Sequence, residues 1–273
     1  MILGKKQLLL IIATLLLLIP IALIFILAPG ASAEEVRYTG TFMPSTRSDK
    51  DIVFNYSSYR IIDQGELDEG LPYYTVDYID LPNACAPLAG TIIAAYYDIT
   101  LPDLIPGFTS KIFGSYRKPT ATLYSTIEEL YSLMHVNEAG AGASESEFDS
   151  GLAKYIADKG YDITYTVAAS NGNLDYAAIK AAIDSQSPVL VFAPEVNFYS
   201  MVDYNADNTT YTWKTAVVNH IFIIEGYKKF ICNENLPNKY EYTVYLVSDI
   251  YSGSRTMIMG DISVHNAKGV KIY

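Results

Sequence analysis

Three residues stand where their types suit one chemistry: a thiol at Cys85, an imidazole at His220 and a carboxylate at Asp249. A thiol serves as a nucleophile when its thiolate is stabilised and a base stands beside it. Cys85 lies at the expected start of a helix, where unpaired N–H groups and the helix dipole favour a negative sulfur. The same N–H groups can donate to an oxyanion forming next to that sulfur. The base must come from elsewhere in the chain. Of the three histidines, His135 ends an expected helix and His265 lies in a polar stretch beside Asn266. His220 instead heads His220-Ile221-Phe222-Ile223-Ile224-Glu225-Gly226-Tyr227, a central-strand pattern with a polar residue at its start. A lone histidine is more often packed or solvated than catalytic, and its place at the head of an apolar strand is what singles it out. Asp249 closes a second apolar strand, Tyr245-Leu246-Val247-Ser248. If that strand is the neighbour of the His220 strand, Asp249 comes near the imidazole; by itself it reads as a turn residue before Ser252-Gly253.

The elements that must position these residues follow from periodicity. Asn83–Asp98 reads as a buried helix, with Pro87 in a first turn that needs no proline N–H and with apolar residues on most faces. Further helices are expected over Thr126–Val136, Ser144–Lys159 and Asn173–Gln186. Strands are expected at Asp162–Val167, Val189–Phe192, Val217–Tyr227, Tyr240–Val247, Arg255–Gly260 and Val270–Tyr273. Helices come first and strands follow, which predicts an α+β fold: a helical lobe with the N-terminal nucleophile helix, packed on an antiparallel β-sheet.

Residues 1–33 read as an export segment. Lys5 and Lys6 precede the apolar run Leu8–Leu27, and Ala31-Ser32-Ala33 offers a cleavage site. The run is also long enough to span a bilayer, so a retained N-terminal membrane anchor is the other reading. Either way the rest of the chain is expected outside the cell, secreted or held at the outer face of the membrane. Residues 34–70 read as a polar linker or pro-like segment with one strand at Asp51–Tyr56, and residues 71–273 as the domain proper. With 19 basic and 30 acidic residues there is no basic surface for nucleic acid. The 24 tyrosines suit half-exposed strands and a wet aromatic surface.

The run Asn83-Ala84-Cys85-Ala86-Pro87 continuing to Tyr96-Tyr97-Asp98 resembles the nucleophile helix of bacteriocin-leader-processing cysteine peptidases, members of the papain-like superfamily. The His220 strand with Gly226-Tyr227 looks like that superfamily's histidine strand, and Val244–Asp249 like the strand bearing its third catalytic residue. The resemblance spans roughly Leu71 to Gly260. It implies a papain-like fold and a thiol peptidase with Cys85, His220 and Asp249 as triad, needing no cofactor or metal and acting on a peptide or protein. The sequence departs from the pattern in two places. No Gln lies between Asp68 and Cys85, so Asn83 is the candidate oxyanion donor; Asp77 and Asp80 would repel an oxyanion. Ala86 replaces the commoner Gly after the cysteine.

Two other readings stand beside the peptidase. The missing Gln and the tyrosine-rich acidic surface fit a catalytically inactive module for extracellular binding or adhesion. With only Cys85 and Cys232 in an exported chain, a single structural disulfide is the third. Metal catalysis has no support: no histidine pair has ligand spacing and no Cys-x-x-Cys occurs.

Overall fold

The computed structural model describes residues 35–43, 51–76 and 79–273, without the side chains of Met201 and Val202. The N-terminal segment, with its reading as signal or anchor, lies outside the described residues. Among them, no helix is long and apolar enough to cross a membrane. Residues 36–273 form one compact unit.

Two strands organise it. Val189–Tyr204 (β11) and Asn208–Cys232 (β12) run antiparallel as one long hairpin, of 16 and 25 residues. Valine, isoleucine, threonine and the aromatic residues fill them, the types that pack well on a pleated surface. Tyr240–Ser248 (β13) pairs with the C-terminal part of β12, Arg255–Met259 (β14) pairs with β13, and β14 returns to β11 at Tyr199↔Met257. Four strands thereby close on themselves around a small aromatic core of Tyr199, Tyr211, Phe230, Val244 and Met259. Asn266–Ile272 (β15) extends the sheet from the first residues of β11, and Ile163–Val167 (β8) pairs with β15. On the edge of β12 opposite β11, Ile52–Asn55 (β3) and then Thr41–Phe42 (β2) pair with its N-terminal half, and Tyr59–Glu66 (β4) pairs with Gly226–Cys232 on the edge opposite β13, making nine strands in all.

Four helices lie among the described residues: Cys85–Tyr97 (α1), Ala121–Leu133 (α2), Glu145–Asp158 (α3) and Tyr176–Asp184 (α4). Every residue of α1 is buried, as a helix apolar on all faces must be. The main core joins its Leu88, Ile92 and Ile93 to Val189–Phe192 and Ile221–Ile224 of the hairpin. A capping box fixes the start of α3: Ser144 accepts from the Glu147 N–H, and the Glu147 carboxylate accepts from the Ser144 N–H. The Asp175 carboxylate caps α4 by accepting from the N–H groups of Ala177 and Ala178.

This overturns the expected α+β division into a helical lobe headed by the nucleophile helix and a separate antiparallel sheet. The molecule is mostly β, its strands precede as well as follow α1, and one nine-stranded antiparallel sheet dominates. The physical cause is in two polar stretches. The first, residues 34–70, carries a two-residue strand Arg37–Tyr38 (β1) together with β2, β3 and β4. The second, between Ala193 and Asn219, belongs almost wholly to β11 and β12. Its threonines, asparagines and tyrosines alternate between buried and solvent-facing positions, so half of the strand reads as loop.

Candidate functional site: a buried thiol and imidazole under a backbone strap

Cys85 is the first residue of α1. Asn83 turns the chain into it through a left-handed conformation at φ 59, and Ala84 supplies no side-chain cap. The first N–H groups of the helix are therefore left free of a side-chain acceptor. The backbone N–H groups of Ala86, Ile221 and Cys85 itself act on the sulfur and favour its thiolate. Burial outweighs them: at 1% exposure the thiol is pushed up to about 12, and it donates to the Tyr38 carbonyl at 3.5 Å.

His220 lies inside β12 rather than at a strand head. It is fully buried, and burial lowers its pKa to about 4, so the ring is neutral. Nε2 stands 3.1 Å from the Asp249 main-chain carbonyl, which can only accept, so the proton sits on Nε2. That leaves the lone pair on Nδ1, which is buried without a hydrogen-bond partner. The unpartnered nitrogen faces the thiol side. A Cβ built onto Gly40 would lie 3.1 Å from His220 Nδ1 and 3.3 Å from Cys85 Cβ, which bounds the separation of those two atoms by the sum of the distances. The N–H acting on the sulfur from β12 belongs to Ile221, the next residue after His220. The structure thus brings Cys85 and His220 together.

Asp249 also reaches the imidazole, with a different part of itself. The pairing Ile223↔Ser248 sets β13 beside β12 in the register that delivers it. Its carboxylate, however, accepts from the N–H groups of Tyr251 and Ser252 and from the Ser252 hydroxyl, and holds the following turn. The main-chain carbonyl alone orients the ring. Ile250, between them, is a β-branched residue at φ 58, a conformation that costs about 1–3 kcal/mol and persists only where the surroundings impose it. It aims the Asp249 carbonyl at one edge of the imidazole and lays the Tyr251 ring over its face, 4.9 Å between centroids.

Asn83 does not serve the sulfur. Its side-chain amide donates to Asn137 Oδ1 at 2.7 Å, and Asn137 Oδ1 also accepts from the Gly142 N–H. The oxyanion donors that the geometry offers are main-chain N–H groups of Cys85, Ala86 and Ile221. Cys85 and Cys232 are both free, and Cys232 lies at the far end of β12, so no disulfide joins them. His135 is paired with Glu138 on the surface, and His265 Nδ1 meets the Tyr38 hydroxyl at 3.0 Å. Among the described residues no group of three or more His, Cys, Asp or Glu side chains is placed to hold a metal ion.

The sequence reading missed what covers the pair. Residues 37–43 run across it as a strap. Arg37 and Tyr38 pair with Ser144 and Ala143 (β7), and Thr41 and Phe42 pair with Val218 and Val217 of β12. Between the two pairings, the N–H groups of Thr39 and Gly40 both donate to the Asn219 carbonyl at 2.9 Å. Pro194 falls opposite Asn219 in the β11–β12 register and has no N–H to give, and Asn219 sits at φ 45. The local break in the ladder turns that carbonyl to the strap. Tyr251 closes the arrangement, donating its hydroxyl to the Gly40 carbonyl and packing its ring against that of Phe42 at a tilt, 4.3 Å between centroids. The alternation Tyr38-Thr39-Gly40-Thr41-Phe42 is the signal that reveals the strap in the sequence.

Compared with protein-family models, with curated proteins and with solved structures, the chain finds no match.

Proposed function

We propose that the protein is an exported thiol hydrolase that cleaves peptide amide bonds, with Cys85 as nucleophile and His220 as its base. The observation that carries this reading is the buried, unpartnered Nδ1 of His220, its tautomer set by the Asp249 carbonyl, turned to the side on which Cys85 heads α1. In the reaction His220 Nδ1 takes the Cys85 proton, and the thiolate attacks the carbonyl carbon of the scissile amide. The N–H groups at the start of α1 and at Ile221 hold the negative oxygen. The imidazolium returns its proton to the departing amine, leaving a thioester, and water activated by Nδ1 hydrolyses it. Asp249 acts as a positioning residue through its main chain. Cys85→Ala is expected to remove peptide hydrolysis, by about 10³-fold or more, while the protein still melts cooperatively. Hydrolysis retained by that variant would exclude the reading.

A second reading, a binding module without catalysis, draws on a different place. A cleft of about 670 Å³ on the sheet is lined by Phe54, Tyr176, Tyr240, Tyr242 and Tyr245, with Lys229 and Glu241 beside them. Apolar rings with a few polar groups are the usual lining of a ligand cleft. Binding of an extracellular ligand unchanged in Cys85→Ala, with no turnover by the parent protein, would favour it.

A further inference from the structure

The strap makes the contacts that a bound peptide would make. It is extended at both ends, it adds to the free edge of β12 opposite β11, and it gives two main-chain N–H groups to the Asn219 carbonyl beside the imidazole. Addition of an extended peptide to a sheet edge is a general mode of recognition, in which main-chain hydrogen bonds give affinity and alternate side chains give specificity. The strap's side chains occupy distinct places. Tyr38 is buried against Phe192 and His265, whereas Phe42 lies half-exposed on Tyr251. Gly40, buried between them at φ 61, passes directly over Cys85 and His220, and a Cβ there would overlap the Tyr251 hydroxyl. The Tyr38 carbonyl takes the hydrogen bond of the Cys85 thiol. With these contacts in place a substrate carbonyl has no route to the sulfur.

We infer that residues 37–43 are a built-in occupant of the substrate groove, an autoinhibitory strap that must leave before an extended peptide can add to the same edge of β12. The inference rests on the hydrolase reading of the Cys85–His220 pair and deepens it by naming how substrate binds. The strap's fastenings are local and separable. Upstream, Arg37 pairs with Glu147 at 2.8 Å and donates to the Gly142 carbonyl at 2.8 Å. Downstream, the β2 pairing spans only Val217↔Phe42 and Val218↔Thr41. Segments that open at low cost are those with few buried apolar contacts and solvent-exposed main-chain hydrogen bonds; the downstream end meets this, both β2 residues being exposed, whereas Tyr38 at the upstream end packs in the main core.

The test uses the full chain carrying Cys232→Ala, so that Cys85 is the one thiol, and reads the rate of its carbamidomethylation by iodoacetamide together with hydrolysis of a mixed peptide library. Arg37→Glu, which sets like charges together, and Gly40→Val, which cannot fit beneath Tyr251, are each expected to raise the alkylation rate about tenfold or more. Thr41→Cys with Val218→Cys, oxidised to a strap disulfide, is expected to hold alkylation of Cys85, read by peptide mapping, at or below the parent rate, and reduction followed by removal of the reductant is expected to return Cys85 to at least that rate. Should Gly40→Val fail to fold, Arg37→Glu and the disulfide pair still decide the matter. Equal alkylation in the parent, the released and the locked proteins overturns the strap. Faster alkylation on release without any hydrolysis supports the strap and removes the hydrolase reading. Hydrolysis by the locked protein at the parent rate overturns the strap and keeps the hydrolase.

Discussion

The two edges of β12 are covered by two strands of very different hold, β4 on one edge and β2 on the other. Along its C-terminal part β4 pairs over seven residues of β12, from Cys232↔Tyr59 to Gly226↔Glu66 with one bulge at Ile62, and its Gly65 lies against the Tyr227 ring. Beside the thiol and imidazole, β2 pairs through two residues only, both solvent-exposed. Both strands satisfy the same need, since an uncovered strand edge invites pairing with another chain. They differ in what replacing them would cost. Loss of β4 would uncover the Phe230 side of the small core, whereas withdrawal of the strap would uncover Cys85, His220 and a ready row of main-chain acceptors. The lightly held edge is thus the one next to the thiol and imidazole, which is where exchange with a second peptide would be useful.

The largest effect that tests this contrast is hydrogen exchange. Amides of Thr39 and Gly40 are expected to exchange through local opening, at least about 10²-fold faster than β4 amides such as Ile61, which exchange only with deeper unfolding. Equal protection along both strands would erase the difference on which the strap depends.

Acid stability reports the dry state of the covered centre. His220 is held neutral with a pKa near 4 because burial penalises its charge, while the unfolded chain takes up a proton near 6.5. The unfolded state thus binds more protons between those values, and stability falls as pH drops through that window. Burial outweighs the Asp249 carbonyl and the Asp249 charge, which both favour the imidazolium, and the Tyr251 ring, the Phe198 ring and Cys85 around it bring no charge. The loss is expected to be on the order of 3 kcal/mol by pH 4, and a His220→Gln variant should lose less over the same range. Denaturant melts at pH 7 and pH 4.5 measure it, and identical pH slopes for the two proteins would contradict a neutral buried His220.

A smaller effect separates the two halves of Asp249. Because the main-chain carbonyl orients the ring, Asp249→Asn is expected to change peptide hydrolysis by less than about tenfold, while weakening the turn to Ser252 by about 1 kcal/mol. A fall in turnover comparable to that of Cys85→Ala would return the carboxylate to a catalytic part. Smaller still, Tyr251→Phe removes one hydroxyl bond to Gly40 and should speed Cys85 alkylation by a few-fold, on the order of one net hydrogen bond.

Much of the centre was readable in the chain, and the reasons for the rest are physical. Pro87 and the apolar run after it marked α1 and placed Cys85 at its start, because those cues are local. The His220 run announced a buried strand, and the approach of Asp249 depended only on two consecutive strands being neighbours. Asn83 failed as a donor because its partner, Asn137, is remote in sequence and no local cue links them. The fold class failed for a related reason. Polar strands such as the first half of β12 take their form from the neighbours they pair with, so Asn208–Asn219 looks like loop until β3 and β11 are set beside it. The strap escaped notice because Tyr38 and Gly40 draw their meaning from Phe192, Asn219 and Tyr251.

The most direct measurement of the central pairing is the pH dependence of Cys85 alkylation in the strap-released Arg37→Glu protein carrying Cys232→Ala. A fraction of the reaction near neutral pH is expected to depend on His220 and to disappear in His220→Ala. A single rise at the ordinary thiol value near 9, unchanged by that substitution, would contradict the pairing.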